Sequence, residues 1–322
     1  MGHGGIQPAR RKVAGMSSSF ASAAYPSARR MLLVHAHPDD ETIATGVTMA
    51  RYLAEGVAVT LVTCTRGEEG EVLVPDLEHL AAKHDDALGE HREHELAAAM
   101  KILGVTDYRY LGGMGTYRDS GMMGTESNDR PESFWRADLL EAAVSMVSVI
   151  REVRPHVLIT YDEFGQYGHP DHIQAHRVAT YAVSLAAVPT FKRELGESWD
   201  VPKVYWTALP KSFIQRGIDA FVAAGGKGFF GLDEGETIDW ANDDDEVTTE
   251  INGLEFEQVK VAALRAHVTQ VEQDGDFFTM SEVVGPEAMG IEFFRLAKGT
   301  LGPADETGRE TDLFGNIAPD PR

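Results

Sequence analysis

The sequence predicts an α/β fold: a Rossmann-like, mostly parallel sheet with helices on both faces, long substrate loops at the strand carboxyl ends and a smaller C-terminal part. Three observations support this prediction. From Arg30 onward, short apolar runs alternate with segments of helical apolar spacing, as in a parallel sheet with crossover helices. Two of the runs lead into turns rich in histidine and aspartate, at 35–41 and 167–172. Two long, glycine-rich polar segments, 65–75 and 112–131, follow other runs, and loops of this length in a compact domain are usually functional.

The strands and helices can be assigned in chain order. Short apolar runs bounded by turn residues predict strands at 31–35, 57–64, 108–111, 157–161 and 203–209. Helical apolar spacing predicts helices at 42–55, 90–103, 133–154, 172–187, 211–224 and 256–268. Gly56 and Gly104 suit the left-handed residue that ends many helices, and Ser133 is the predicted start of the third helix.

The domain organisation follows from composition along the chain. Residues 1–29 carry four basic residues, several serines and alanines and no acid, so we expect a disordered N-terminal extension. No continuous apolar segment follows Arg10 and Arg11, which argues against an export signal. Residues 30–322 are predicted to form a single domain, with 30–190 as the metal-binding core and 200–322 completing the fold. The acid-rich segment 232–250 is expected to be a solvated surface excursion.

Overall composition narrows the class of partner. The formal net charge of −22 argues against nucleic acid, because the phosphates would be repelled. No apolar run approaches the ~20 residues needed to span a bilayer, so no membrane partner is expected. The one cysteine, Cys64, excludes an internal disulfide and favours the cytoplasm, and it is expected to be a buried small hydrophobe. A small-molecule substrate is the predicted partner, and the chain is compatible with a homo-oligomer.

The two histidine-rich turns predict one metal site. His37 and Asp40 lie three residues apart in a turn that enters a helix, and His172 comes from the second turn. Carboxyl ends of parallel strands meet at one edge of a sheet, so these side chains should converge there. Two imidazoles and one carboxylate suit catalytic zinc, and the same set also suits ferrous iron.

Neighbouring residues in the same turns predict hydrolysis of an amide. Asp39 is free to act as general base toward a water molecule. His169, as an imidazolium, is expected to stabilise the developing oxyanion or to protonate the leaving amine, with Asp171 accepting a hydrogen bond from it. Tyr167 offers a phenol donor to the same oxyanion. His35 is expected to be structural.

At these motifs the chain resembles the LmbE-like zinc deacetylases, a family marked by an early HxHPDDE motif and a later HPDH-type turn. Further segments resemble the mycothiol-pathway branch of that family: 63–72 (TCTRGEEGEV), 117–122 (YRDSGM), 154–157 (RPHV), 263–270 (ALRAHVTQ) and 310–313 (ETDL). The resemblance covers roughly 30–313 and excludes the variable segment after Phe221.

The resemblance implies zinc-dependent removal of acetate from N-acetylglucosaminyl-inositol (GlcNAc-Ins), giving glucosaminyl-inositol for mycothiol biosynthesis. It implies that Asp39 is the general base. It implies the same zinc ligands and the same oxyanion and orienting groups as above, which are His37, Asp40 and His172 and, respectively, Tyr167, His169 and Asp171. It also implies that Arg92 and Asp119 hold the inositol and sugar hydroxyls and that Met122 lies beside them.

Other functions remain open at this point. The related mycothiol S-conjugate amidases resemble this chain but carry a lysine where it has Ala44, so we favour the deacetylase. A deacetylase of another N-acetyl amino sugar is a further alternative. A catalytically inactive sugar-binding protein would need neither Asp39 nor His169. A nucleotide-binding protein is disfavoured because no G-x-G-x-x-G follows the first strand.

Overall fold

The computed structural model describes residues 29–223, 240–273 and 275–318, and only the backbone of 276, 277 and 280. Residues 1–28 and 232–239, the first part of the predicted acidic excursion at 232–250, lie outside this part of the chain. Among the helices described, none combines the length and apolar character that crossing a bilayer would require.

The described residues form one seven-stranded, mostly parallel sheet, which confirms the predicted α/β class. Its strands are β1 (Arg30–His35), β2 (Ala58–Thr63), β3 (Asp107–Tyr110), β4 (Val157–Thr160), β5 (Lys203–Ala208), β6 (Thr249–Asn252) and β7 (Ile291–Lys298). The strand order is β3-β2-β1-β4-β5-β7-β6, and the first five strands in this order run parallel to one another. β7 is antiparallel to both β5 and β6. The sequence prediction missed β6 and β7.

Eight helices connect the described strands. They are α1 (Asp40–Ala54), α2 (Leu88–Leu103), α3 (Leu139–Val153), α4 (Pro170–Ala186), α5 (Lys211–Ala223), α6 (Glu257–Leu264), α7 (Asp276–Val284) and α8 (Glu287–Gly290). α2 ends as predicted at Gly104, which has φ 85°. α6 is shorter than the predicted helix 256–268, because the chain turns after Leu264.

The predicted helix 133–154 is wrong at its start. Only a short 3₁₀ turn, Phe134–Arg136, follows Ser133, and the α-helix begins after Asp138. The Asp138 carboxylate accepts a hydrogen bond from Glu141 N at 2.9 Å, so it caps the helix. Asp138 has extended backbone angles, as an N-cap residue does, and this separates the turn from the helix.

Helices cover both faces of the sheet, and each face has its own core. Alternate residues of β1 point to opposite sides. Leu32 and Val34 pack in the cluster that includes residues of α3 and α4. Met31 and Leu33 pack in the cluster that includes residues of α1, α2 and α6. β1 is therefore buried on both faces, which explains its continuous apolar sequence.

The strand order brings the two histidine-rich turns together. β1 and β4 are parallel neighbours, with Leu33 opposite Ile159. The turn after β1 and the loop after β4 therefore leave the same edge of the sheet. This is the physical reason that residues more than 120 positions apart can share one site.

Candidate metal centre

The turn after β1 has an unusual backbone at Asp39. This residue has φ 117° and ψ −37°, which costs about 1–3 kcal/mol for a residue with a side chain. Its carbonyl oxygen accepts hydrogen bonds from Thr42 N at 3.0 Å and Ile43 N at 2.9 Å, so α1 begins at this turn. His35, at the end of β1, bonds instead to Thr45 Oγ1 at 3.1 Å and lies outside the site, as expected.

The three predicted metal ligands converge. His37 Nδ1 lies 3.2 Å and His172 Nε2 lies 3.3 Å from the same atom, Asp40 Oδ2. Two ligand atoms in a tetrahedral zinc site, each ~2.0–2.1 Å from the ion, are separated by about 3.3 Å. The two distances from Asp40 are therefore compatible with ligands of a single ion.

The environment of His172 is also compatible with a cation here. Its side chain is buried, and neither ring nitrogen makes a well-aligned hydrogen bond to a described residue, although Nε2 lies 3.3 Å from Asp40 Oδ2. Leaving a buried polar group without a well-aligned partner is costly, so native structures rarely do so. Metal ligation through Nε2 would satisfy that nitrogen.

The far nitrogen of His37 faces two more carboxylates. His37 Nε2 lies 3.1 Å from Asp171 Oδ2 and 3.5 Å from Asp119 Oδ1. An Nε2–H that donates to Asp171 leaves Nδ1 facing Asp40, and either a proton on Nδ1 or a cation between the two residues makes that contact favourable. Burial opposes the charge, but Asp119, Asp171 and Asp40 raise the pKa of His37 well above its ordinary value.

The sequence predicted that the Asp171 carboxylate accepts a hydrogen bond from His169, and the structure shows different partners for this carboxylate. Its carboxylate accepts hydrogen bonds from His37 and from both Ser120 N, at 2.9 Å, and Ser120 Oγ. The reason is its place in the first turn of α4. There its own N–H donates to His169 Nδ1 at 3.1 Å, while its side chain points back to the loop 112–131.

Two overlapping sets of side chains could hold a metal among the described residues. Ligand atoms of His37, His169 and His172 all lie within 4.8 Å of one another. The same holds for His37, Asp119 and Asp171. The chain therefore has a possible metal site of histidines and aspartates. His37 belongs to both sets and Asp40 to neither, so the combination of His37, Asp40 and His172 remains a prediction.

Sequence reasoning missed Tyr161 as a member of the site. Its hydroxyl donates to Asp40 Oδ2 at 2.8 Å and accepts from Ala36 N at 2.8 Å. Its ring stacks on His172 with centroids 4.2 Å apart. Burial and the charge of Asp40 raise the pKa of Tyr161 well above its ordinary value, so it remains a donor. The available signal was its position at the end of a predicted strand that leads to the site.

Arg92 holds the backbone and side chain of the turn after β1. Its Nη2 donates to the Pro38 carbonyl oxygen and to Asp39 Oδ2, the latter at 3.1 Å, and its Nη1 donates to the Gly67 carbonyl oxygen at 2.9 Å. Burial raises the pKa of Asp39 to about 6, although Arg92 opposes this. The Asp39 carboxyl is therefore poised to exchange a proton near neutral pH.

His169 and Tyr167 lie next to the two histidines of the centre. The rings of His169 and His37 are 4.6 Å apart, and that of Tyr167 is 5.1 Å from His172. Burial, with the charges of His37 and His172, lowers the pKa of His169 to about 3, so this environment favours a neutral ring rather than the expected imidazolium. Its Nδ1 accepts from a backbone N–H, so the proton resides on Nε2.

Eight of the ten predicted site residues line one cavity of about 1160 Å³, and the other two, Asp171 and His172, are fully buried. The segments 65–75 and 112–131, predicted to be substrate loops, contribute Glu69 and Met122 to its wall. Arg92, Asp119, Tyr167 and the residues around the metal site line it as well. This volume exceeds the ~300–1,000 Å³ usual for small-molecule sites.

Known proteins with this sequence pattern share one described activity. The PIG-L family, described as GlcNAc-PI de-N-acetylase, matches residues 32–183. A 1D-myo-inositol 2-acetamido-2-deoxy-alpha-D-glucopyranoside deacetylase of Geodermatophilus obscurus is 56% identical over 290 residues, which cover 90% of this chain and 98% of that protein. The deacetylase of the same name from a Nocardioides species is 55% identical over 298 residues, covering 90% and 99%.

Solved structures support the fold. N,N'-diacetylchitobiose deacetylase from Pyrococcus horikoshii aligns with a TM-score of 0.56 at 18% identity, covering 84% of this chain and 85% of that one. A conserved protein from Thermus thermophilus aligns with a TM-score of 0.52 at 22% identity, covering 85% and 96%. The family match and the relatives above 50% identity establish that the chain belongs to the PIG-L, or LmbE-like, family of de-N-acetylases.

Proposed function

We propose that this protein is a zinc-dependent, cytoplasmic N-deacetylase that hydrolyses the acetamide of GlcNAc-Ins to glucosaminyl-inositol and acetate in mycothiol biosynthesis. The observation that supports it most strongly is that His37 and His172 each place a ring nitrogen within 3.3 Å of Asp40 Oδ2, beside the Asp39 carboxylate that Arg92 holds. The names of relatives that share more than half of their sequence with this chain support the substrate.

His37, Asp40 and His172 are the residues that would hold the metal. Two imidazoles and a carboxylate suit zinc, and ferrous iron is the alternative for the same set. When bound, the ion supplies polarisation of the amide carbonyl and a lowered pKa for water.

Asp39 is the proposed general base. It takes a proton from the attacking water as the oxygen of that water bonds to the amide carbon. Arg92 donates to Asp39 Oδ2 and so fixes the direction of the carboxylate. As the C–N bond breaks, the amine nitrogen needs a proton, which Asp39 can return. Water is thereby split between acetate and amine, and the chain ends in its starting protonation state.

Tyr167 and His169 are the proposed donors to the developing oxyanion. Both line the cavity, and His169 carries its proton on Nε2. Neutral donors suffice for this role, because an oxyanion is stabilised by any well-aligned hydrogen bond in a site from which water is excluded.

Arg92, Asp119 and Met122 are the proposed substrate contacts. A guanidinium and a carboxylate suit the hydroxyl groups of a sugar and an inositol, and both side chains line the cavity. Met122 is half-exposed at the mouth, where it can cover the bound sugar. Asp171 is proposed to orient His37, which replaces the role first predicted from the sequence.

The test compares two substrates with one preparation of the zinc-loaded protein. Products from GlcNAc-Ins and from a mycothiol S-conjugate are identified by mass spectrometry, and Asp39→Asn, which keeps all three metal ligands, is the matched control. We expect acetate and glucosaminyl-inositol, a preference for GlcNAc-Ins and a large loss of rate in the control. A strong preference for the conjugate would instead identify an S-conjugate amidase, an alternative that the large cavity favours. Acetate release only from another N-acetyl amino sugar would reassign the substrate.

A further inference from the structure

Glu41 and His267 form a buried pair behind the site. Both side chains are fully buried, and His267 Nε2 lies 3.1 Å from Glu41 Oε1. Thr42 Oγ1 donates to the same oxygen at 2.6 Å. Neither Glu41 nor His267 is among the residues that line the cavity, so this pair has no direct access to a substrate.

The other oxygen of Glu41 reaches the backbone of the proposed base. Asp39 N donates to Glu41 Oε2 at 2.9 Å. Five other described non-glycine residues have positive φ, and theirs lie between 42° and 60°, within or near the ordinary left-handed well. Asp39, at 117°, lies outside that well. Its conformation therefore depends on contacts that hold the peptide in place.

His267 is itself fixed from the opposite direction. It lies in the turn after α6, where its N–H donates to Leu264 O at 3.1 Å and its carbonyl accepts from Val271 N at 3.0 Å. Two residues on, Thr269 N and Oγ1 both donate to Glu95 of α2 at 2.8 Å. The turn that carries His267 is thus anchored to the helix that also carries Arg92.

Two supports therefore act on Asp39. Arg92 bonds to its carboxylate, and Glu41 bonds to its N–H. A buried carboxylate needs donors of its own, and Glu41 obtains them from His267 and Thr42. Without His267, Glu41 would lose the donor that fixes its orientation.

We infer that Glu41 and His267 are positioning residues, which hold the Asp39 peptide in its positive-φ conformation so that its carboxylate faces the cavity. This inference rests on the proposed function of Asp39 as general base. A base that is displaced by about 1 Å can lose ~10²-fold in rate while substrate binding is preserved.

The experiment measures kcat and KM for acetate release from GlcNAc-Ins, and zinc content, in His267→Leu, His267→Gln and Tyr52→Phe. Tyr52 is a matched control, because it is also buried on α1 and bonds to Asp312 at 3.0 Å away from the site. We expect His267→Leu to lower kcat by about 10²-fold with little change in KM or zinc content. His267→Gln, which can still donate to Glu41, should recover most of that loss, and Tyr52→Phe should resemble the wild type.

An unchanged kcat in His267→Leu, or an equal loss in Tyr52→Phe, would overturn the inference, as would a loss explained by missing zinc. If His267→Leu does not fold, Glu41→Gln and Glu41→Met replace it. The glutamine keeps an acceptor for Asp39 N, the methionine does not, and equal rates in the two would overturn the inference. Absence of acetate release in the wild type would contradict the proposed function instead.

Discussion

Replacing Asp171 by alanine should weaken metal binding rather than proton transfer. Asp171 is fully buried and accepts a hydrogen bond from His37 Nε2 at 3.1 Å, so it is placed to orient this proposed metal ligand. Loss of such a partner typically lowers metal affinity ~10–100-fold. Asp119 Oδ1, 3.5 Å from the same nitrogen, stays as a second acceptor. We therefore expect a loss near the lower limit, about tenfold or ~1.4 kcal/mol.

Asp171→Asn is the matched comparison. The amide oxygen can still accept from His37, but the negative charge is lost, so the expected decrease in affinity is smaller than in Asp171→Ala. Metal affinity is measured by competition with a chelating dye, and kcat is measured at saturating zinc. Wild-type affinity in Asp171→Ala together with a low kcat would refute the assignment to His37 and favour an action through His169.

Three further changes test other parts of the account. Tyr167→Phe should lower kcat about 10²–10³-fold with unchanged zinc content, if the phenol donates to the oxyanion; wild-type kinetics would exclude that role. Lys203 and Glu310 form a buried ion pair with Nζ and Oε1 2.5 Å apart. Either Lys203→Met or Glu310→Leu should lower the unfolding free energy of the protein by ~3–5 kcal/mol, because it leaves the other charge buried without its partner. In urea unfolding, the double variant should lose clearly less unfolding free energy than the two single variants lose together. Additive losses would refute the coupling between the two residues. Asp138→Ala should cost ~1 kcal/mol through the lost cap, whereas Asp138→Asn should cost almost nothing; equal costs would contradict capping.

The part of the sheet that carries the site could be predicted because β1 and β4 are buried along their whole length. Their apolar runs are uninterrupted, and the turns that follow them are rich in polar residues. β7 has a different character, since Glu292 and Arg295 interrupt its apolar residues. Glu292 is buried only because Lys260 Nζ bonds to it at 2.8 Å and Thr48 N of α1 donates to it at 2.8 Å. These partners lie far apart in the sequence, so no local pattern indicates them.

The candidate site was predictable to the extent that its residues lie in short motifs. His37, Asp39 and Asp40 occupy one turn, and His172 follows another turn at the same edge of the sheet. The hydrogen-bond partners were not predictable, because they depend on tertiary geometry. The Asp171 carboxylate was expected to accept a hydrogen bond from His169, two residues away. It accepts one from His37 instead, 134 positions earlier.

The central claim is that one divalent ion, held by His37, Asp40 and His172, is required for hydrolysis of the amide. The most direct test strips the protein of metal and follows acetate release from GlcNAc-Ins while zinc is added back. We expect no release without metal and a rise to a plateau at one equivalent of zinc per chain. Undiminished acetate release from the metal-free protein would contradict the claim.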